Sequence, residues 1–349
     1  MSTFTHQHQP TNGRLVYASV ILVALLEQVA WVPHVNSAEP FSTAPISTAP
    51  ISTAPFSTTS VDEVFEMTSS NQTWDIQTCA DDHPWGLGTL EFFAGLEGSK
   101  QPQDYGVNAN LGGRAHVNWG RLILPEHGLG IQLGTAINAT GNAVRVYELL
   151  GETTGRTQSF STAGIFQRTP SGISWGFAYD FLYQESFDQF FLGQWRGRIG
   201  YQLNCCNEFG VTAQLSGERD SGLFNATLVT LDPITQGSVY WRHRWESGTE
   251  TTLWAGLAEA HGESNPITGF SPPKDEVFLF GADILAPLND NLALYGETNL
   301  MMPTDTGAVD AYLGIQWHPW GGAKQSRRMA SSPVLPVAGS TSFSVDLVQ

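Results

Sequence analysis

The chain has 349 residues, enough for two ordinary domains or one large all-β unit, and its net charge of −17 argues against nucleic-acid binding, which requires a basic face. Charged residues make up only 14% of the chain, below the roughly one quarter of an average soluble protein, while aromatic residues reach 11%. This composition favours a protein whose surface is not wholly in contact with water.

Residues 1–38 have the features of a secretory signal peptide. Arg14 precedes the apolar run LVYASVILVALL (residues 15–26), and VNSA at 35–38 supplies small residues for cleavage. The apolar run is shorter than the roughly 20 residues that a membrane-spanning helix needs. We therefore expect export, with an uncleaved N-terminal anchor as the alternative.

Residues 39–86 are predicted to form a disordered linker rich in Ser, Thr and Pro. The stretch FSTAPISTAPISTAPFSTTS, residues 41–60, is built on a five-residue repeat and cannot form an apolar core. An O-glycosylated stalk and a spacer across the cell-wall layer are the alternatives to plain disordered spacing.

From residue 87 onward, apolar residues recur at every second position, which is the period of a β-strand. In VNANLGGRAHVNW (residues 107–119), one face is apolar and the other carries Arg114 and His116. The same alternation predicts twelve strands, at 87–97, 107–119, 129–138, 158–168, 173–183, 195–203, 209–216, 239–245, 250–260, 276–286, 292–301 and 310–317. Alternation is weak in 158–168 and 250–260, so it stays open which side chains of these two strands lie on the apolar face. No amphipathic helix of comparable quality intervenes, and the chain is predicted to be all-β.

The connections between these strands alternate between long and short. The short ones contain PEH, TPSG, NCCNE, ESGT and PLNDN. Outer-membrane barrels have short turns on the inner side and long loops outside, whereas a β-sandwich has no reason to sort its loops in this way. Residues 87–317 thus resemble the bacterial outer-membrane β-barrel (porin-like) class, as an uncharacterised family of unknown function. The resemblance implies an antiparallel up-and-down transmembrane β-barrel over residues 87–320, located in the outer membrane.

In such a barrel the apolar faces contact the lipid bilayer and the polar faces line the interior. A soluble sandwich that buries the apolar faces is the alternative. An aromatic girdle is expected near the strand ends, formed by Trp119, Trp175, Trp195, Trp241, Trp245 and Trp317. The expected pore-lining residues are Glu91, Glu97, Arg114, His116, Asp180, Arg196, Arg198, Arg242, Arg244, Asp283 and Glu297.

Residues 321–349 follow the point where the barrel is expected to end. Barrels of this class usually finish on a strand that ends in Phe or Trp, a place that Trp317 or Trp320 can take. We expect residues 321–349 to be a C-terminal periplasmic tail, because this keeps the strand number even. The alternative is that TSFSVDLVQ forms the true last strand.

The mixed charges of the inward positions favour a passive channel for small polar or anionic solutes. One alternative is a non-conducting surface or structural barrel that binds a partner through its long outer loops. An outer-membrane hydrolase is the other, but the strands show no Ser/His/Asn grouping, GxSxG, phosphate loop or zinc pattern. We therefore expect no enzymatic activity, cofactor or metal, and His116 is interpreted as an interior hydrogen-bonding residue. The sequence leaves the oligomeric state open.

The chain contains three cysteines, Cys79, Cys205 and Cys206. Exported proteins tend to use cysteines in disulfides, so we expect Cys79 to pair with Cys205 or Cys206 on the periplasmic side. Free thiols are the alternative.

Overall fold

A computed structural model describes residues 88–104, 108–143, 146–149, 151, 153–224, 227–259, 277–302, 308–325 and 327–348. The expected signal peptide (1–38), the expected linker (39–86) and Cys79 lie outside these ranges.

The described residues form a closed antiparallel β-barrel of twelve strands, as the sequence predicts. The barrel consists of β1–β7 and β10–β14, and β14 closes the ring by pairing with β1. In chain order the strands are β1 (Thr89–Lys100), β2 (Asn110–Leu124), β3 (Leu129–Asn142), β4 (Gly155–Arg168), β5 (Ile173–Glu185), β6 (Gln189–Gln202), β7 (Asn207–Glu218), β8 (Asp220–Phe224), β9 (Thr227–Pro233), β10 (Gln236–Arg244), β11 (Glu250–Ala258), β12 (Val277–Pro287), β13 (Leu292–Met302), β14 (Val309–Trp317) and β15 (Val345–Val348).

In the described part of the chain, helical structure is limited to one short α-helix, α1 (Val146–Leu149), and two 3-10 turns, Pro102–Asp104 and Pro125–His127. Within the described ranges, no helix is long and apolar enough to cross a membrane.

Five tight connections lie at one end of the barrel, which we call the short-turn rim: residues 125–128, 169–172, 203–206, 245–249 and 288–291. The turn between β2 and β3 ends on Gly128 at φ 62°, and its N–H donates to the carbonyl of Pro125. A Cβ atom at this position would lie 2.1 Å from the carbonyl oxygen of Arg168, so only glycine fits both the backbone angle and the space.

The opposite end, the long-loop rim, carries the longer connections. The connection between β7 and β10 folds into the β8–β9 hairpin, which contacts β6 and β7. One connection is shorter than predicted: β5 and β6 extend until Glu185 pairs with Gln189, leaving residues 186–188 between them. The added pairs satisfy backbone groups that a longer loop would leave to water.

The outer surface of the barrel is apolar around its whole circumference. Representative outward side chains are 53–71% exposed: Leu96, Leu133, Ile199, Val239 and Leu313. A continuous apolar surface of this extent is expected of a protein embedded in lipid. Most of the predicted girdle lies near strand ends, but Trp195 lies in the middle of β6 and packs on Tyr179 at 4.6 Å between ring centres.

The chain after β14 differs from the expected periplasmic tail. Residues 331–347 are almost all buried, and β15 pairs antiparallel with β9 at the long-loop rim. We call residues 331–348 the luminal segment. It enters the barrel because the inward face carries many polar groups that need partners, and the carbonyls and hydroxyls of this segment supply them. Part of the alternative expectation is met: Val345–Val348 is a strand, but it belongs to a separate three-stranded sheet with β8 and β9.

Candidate functional site

The barrel interior is the candidate functional site, and all the residues predicted to line it occupy inward positions of their strands. Seven of them are buried: Glu91, Glu97, Arg114, His116, Asp180, Arg196 and Arg198. The other four are half-buried: Arg242, Arg244, Asp283 and Glu297. Burial arises because the luminal segment occupies the interior.

An ion pair between neighbouring strands lies in the middle of the lumen. Arg196 on β6 approaches Asp180 on β5, with 2.7 Å between Nε and Oδ2. Thr162 and Gln194 also donate to the Asp180 carboxylate, at 2.8 and 3.1 Å. The remaining donors of Arg196 reach the luminal segment, where Nη2 lies 2.8 Å from the carbonyl oxygen of Pro336.

A second polar cluster lies closer to the long-loop rim. Arg114 on β2 lies 3.8 Å from the carboxylate of Glu97 on β1 and donates to the carbonyl of Ala338 at 3.0 Å. The hydroxyl of Ser340 donates to Glu97, and Asn138 donates to the same carboxylate at 2.8 Å. Wall and luminal segment therefore share one hydrogen-bond network at this level.

An aromatic group surrounds the predicted interior histidine. His116 stacks on Phe93 with 4.8 Å between ring centres, and Tyr295 approaches it edge-on at 6.5 Å. Its Nδ1 atom has no hydrogen-bond partner among the described residues. The contacts of His116 that the structure shows are aromatic packing, and its interpretation as an interior hydrogen-bonding residue stays a prediction.

Acidic and basic side chains are paired near the short-turn rim. Arg242 lies 3.5 Å from Glu208, and Arg327, which precedes the luminal segment, lies 2.7 Å from Asp283. Arg328 lies 3.3 Å from Glu250. Among the predicted arginines, Arg244 lies at the rim itself, where it donates to the carbonyl of Lys324 at 3.2 Å.

The luminal segment is held to the barrel wall by side chains and not by a backbone ladder. Within the described ranges, barrel strands pair only with barrel strands, and the one ladder of the luminal segment joins β15 to β9. Wall side chains donate instead to its carbonyls at residues Ser332, Leu335, Pro336, Ala338 and Ser342. The segment can therefore leave without breaking any barrel ladder.

An apolar cluster fixes the last part of the luminal segment beneath the long-loop rim. It joins inward side chains of β4–β6, the β8–β9 hairpin and the segment itself: Phe160, Leu182, Phe190, Leu192, Phe224, Val229, Leu231, Val337, Phe343, Val345 and Leu347. Phe343 packs edge-on against Phe160, with 5.9 Å between ring centres. This half of the lumen has a packed core in place of a water-filled channel.

Two small cavities remain beside the luminal segment. Their volumes, measured as the space open to the centre of a water molecule, are about 70 and 50 Å³. Arg198, Asp283, Leu335 and Pro336 border both. In the described residues, no group of three or more His, Cys, Asp or Glu side chains is arranged to hold a metal ion.

Several polar residues of the interior were missed by sequence reasoning. Asp104 and Arg156 form a buried ion pair at 2.9 Å, and Glu208 and Tyr240 are hydrogen-bonded at 2.7 Å. Arg156 and Glu208 lie just before the predicted starts of their strands, so extending the alternation by one or two residues would have found them. Asp104 lies in a 3-10 turn, which carries no strand period.

Cys205 and Cys206 lie in the turn between β6 and β7, with 3.2 Å between their sulfur atoms and no bond joining them. A hydrogen bond with Cys205 raises the pKa of the Cys206 thiol. Because Cys79 is outside the described residues, its disulfide with Cys205 or Cys206 stays a prediction.

Comparison with protein families gives one decisive match. The model of a family described as "Family of unknown function (DUF6666)" matches residues 89–345, from the first residue of β1 to the first of β15. The chain belongs to this family. The match spans both the barrel and most of the luminal segment, so the two are parts of one family domain. No curated protein matches the chain.

Solved structures with low similarity to the chain include a porin, an autotransporter domain and a transporter. The KdgM porin is 8% identical, with a TM-score of 0.37 over 65% of this chain and 98% of its own. The translocator domain of the autotransporter NalP from Neisseria meningitidis is 9% identical, with a TM-score of 0.44 over 66% and 88%. The toluene transporter TbuX of Ralstonia pickettii is 9% identical, with a TM-score of 0.39 over 66% and 90%.

Proposed function

We propose that this protein is an outer-membrane channel for small polar or anionic solutes, and that its own luminal segment holds it closed. The observation that carries the proposal is the path of residues 331–348, which run through the barrel from the short-turn rim to β9 at the long-loop rim. The segment fills the lumen, yet among the residues that the structure describes no backbone ladder joins it to the wall. This arrangement suits a removable closure.

The wall that the segment covers supports the choice of solute. It is lined by charged and amide side chains of both signs, which can exchange hydrogen bonds with the segment for hydrogen bonds with water and solute. A barrel of twelve strands lies between the packed small barrels and the open porins of sixteen or more strands. Emptied of residues 331–348, such a barrel has room for a narrow aqueous path.

The conductance of single molecules in planar bilayers tests this proposal. The mature chain is expected to conduct little, and a variant that ends at Ala330 is expected to show a steady open level. Slower mobility on gels after heating identifies a folded barrel in both samples. A folded but insulating truncated variant would contradict the proposal.

A permanently closed, non-conducting barrel is the second candidate. The apolar cluster around Phe343 favours it, because expelling this side chain and its apolar neighbours into water is costly. This candidate predicts that the full chain and the truncated variant are equally insulating.

A further inference from the structure

Arg198 on β6 is a buried arginine without a carboxylate partner. Its side chain is only 9% exposed, and the ion pairs found among the described residues do not include it. Its guanidinium carbon lies 3.7 Å from the centre of the Tyr240 ring, an arrangement that compensates only part of the charge. A buried, unpaired guanidinium attracts an anion.

Two donors of Arg198 have no acceptor. The Nε and Nη2 atoms are buried and lack a hydrogen-bond partner among the described residues. Their two N–H groups lie on the same edge of the planar guanidinium, and this edge binds carboxylate and phosphate groups through two parallel hydrogen bonds. The unused donors therefore match an oxyanion in number and in direction.

The space beside Arg198 is large enough for such a group. Arg198 borders both cavities, and the larger, of about 70 Å³, has room for roughly five water molecules. Asp283 borders both as well, but its carboxylate is already paired with Arg327 at 2.7 Å.

The smaller cavity adds a second positive charge. Arg168 on β4 borders it, and this guanidinium donates to the carbonyls of Ser332 and Pro333. Glu208 on β7 is paired with Arg242 at 3.5 Å and also interacts electrostatically with Arg198 and Arg168. One carboxylate thus faces three guanidinium groups, and a net positive charge remains for a bound anion.

We propose that the cavities beside Arg198 form an oxyanion site, which binds the carboxylate or phosphate group of a small solute through Nε and Nη2 of Arg198. Arg168 supplies the second positive charge. The inference names the solute class of the proposed channel and in that respect rests on it, although binding itself requires no conduction.

Thermal unfolding of the detergent-folded full chain tests the site, with gel mobility as the measure of the folded fraction. Sodium phosphate and sodium acetate are compared with sodium chloride at fixed ionic strength, so that general screening is the same in all samples. We expect phosphate and acetate to raise the unfolding midpoint of the wild type in a saturable manner, and chloride to have little effect.

Three variants assign the effect to Arg198. Arg198→Gln is expected to weaken phosphate binding by about tenfold or more, since it removes a bidentate, charge-assisted contact. Arg198→Lys keeps the charge but lacks the two parallel donors, so it should lose the preference for phosphate over chloride. Arg219→Gln is the matched control, because Arg219 is 66% exposed and borders neither cavity. It should bind as the wild type does.

Two results would overturn the site. One is that phosphate and acetate do not stabilise the wild type in a saturable manner. The other is that Arg198→Lys and Arg198→Gln both bind phosphate as the wild type does. If Arg198→Gln does not fold, Arg198→Lys alone decides. If the full chain binds phosphate but the variant that ends at Ala330 does not conduct, the site is supported and the channel is contradicted. If the truncated variant conducts but the full chain binds neither phosphate nor acetate, the site alone is contradicted.

Discussion

The guanidinium of Arg196 lies 2.7 Å from the carboxylate of Asp180, and the two side chains are 1% and 0% exposed. The same guanidinium also donates to the carbonyl of Pro336. One buried ion pair thus links two barrel strands to the luminal segment.

We expect Asp180→Asn to destabilise the folded barrel by roughly 3–5 kcal/mol, because it leaves the buried Arg196 charge without its partner. Urea-induced unfolding in detergent, followed by tryptophan fluorescence, measures the change. The matched control is Arg219→Gln, since Arg219 is 66% exposed and lies 3.7 Å from Asp232. An exposed pair contributes at most about 1 kcal/mol. Equal losses in the two variants would refute a special role for the buried pair.

Phe343 is expected to hold the luminal segment in place. Phe343→Ala removes a fully buried ring from the apolar cluster, and such cavities cost about 3–5 kcal/mol. The variant should make residues 331–348 more accessible to a protease in folded barrels, as measured by mass spectrometry of the fragments. Phe191→Ala is the control, because Phe191 lies on the outer face of β6 and is 48% exposed. Unchanged cleavage of Phe343→Ala would show that the ring does not anchor the segment.

The thiol pair in the β6–β7 turn gives a prediction about pH. Because a hydrogen bond with Cys205 raises the pKa of Cys206, the reactive thiolate of Cys206 forms only at higher pH than in an ordinary thiol. In the reduced protein, the midpoint of the pH profile of Cys206 alkylation should lie above pH about 8.5, where a free cysteine is half ionised. Cys205→Ala should move this rate profile to lower pH. Peptide mass spectrometry measures the rate, and a profile that does not move would contradict the hydrogen bond.

The barrel could be predicted from the sequence because lipid and lumen impose opposite polarity on alternate residues. Trp119 and Leu133 face outward while Asn118 and Gln132 face inward, as the period of two requires. The number and order of the barrel strands follow from the same rule.

The luminal segment could not be predicted in this way. Residues 331–342 have no hydrophobic period, because most of their partners are single side chains of the wall and not a neighbouring strand. Only the end of the segment alternates, with Phe343, Val345 and Leu347 at every second position, and Val345–Val348 is the part that forms a strand. The sequence of β6 does contain one signal of a packed interior, because Phe190, Phe191 and Leu192 are consecutive. Apolar residues on both faces of a strand indicate that the interior is packed at that level. Phe190 and Leu192 do lie in the apolar cluster, whereas Phe191 faces outward.

The path of the luminal segment can be tested by labelling intact cells. If the short turns face the periplasm, as in outer-membrane barrels, a chain that runs through the lumen to β9 brings β15 to the outer surface. A cysteine appended after Gln349, in a variant with Cys79, Cys205 and Cys206 replaced by Ser, reports this position on intact cells. The probe is a maleimide attached to a polyethylene glycol too large to cross the outer membrane.

The matched control is Ser247→Cys in the same background, because residue 247 lies in the exposed turn between β10 and β11 at the short-turn rim. We expect the appended cysteine to be labelled on intact cells, and the cysteine of Ser247→Cys to be labelled only after the outer membrane is opened. If both cysteines are protected on intact cells and both are labelled after opening, the appended cysteine lies in the periplasm and the luminal segment does not run through the barrel to the outer surface.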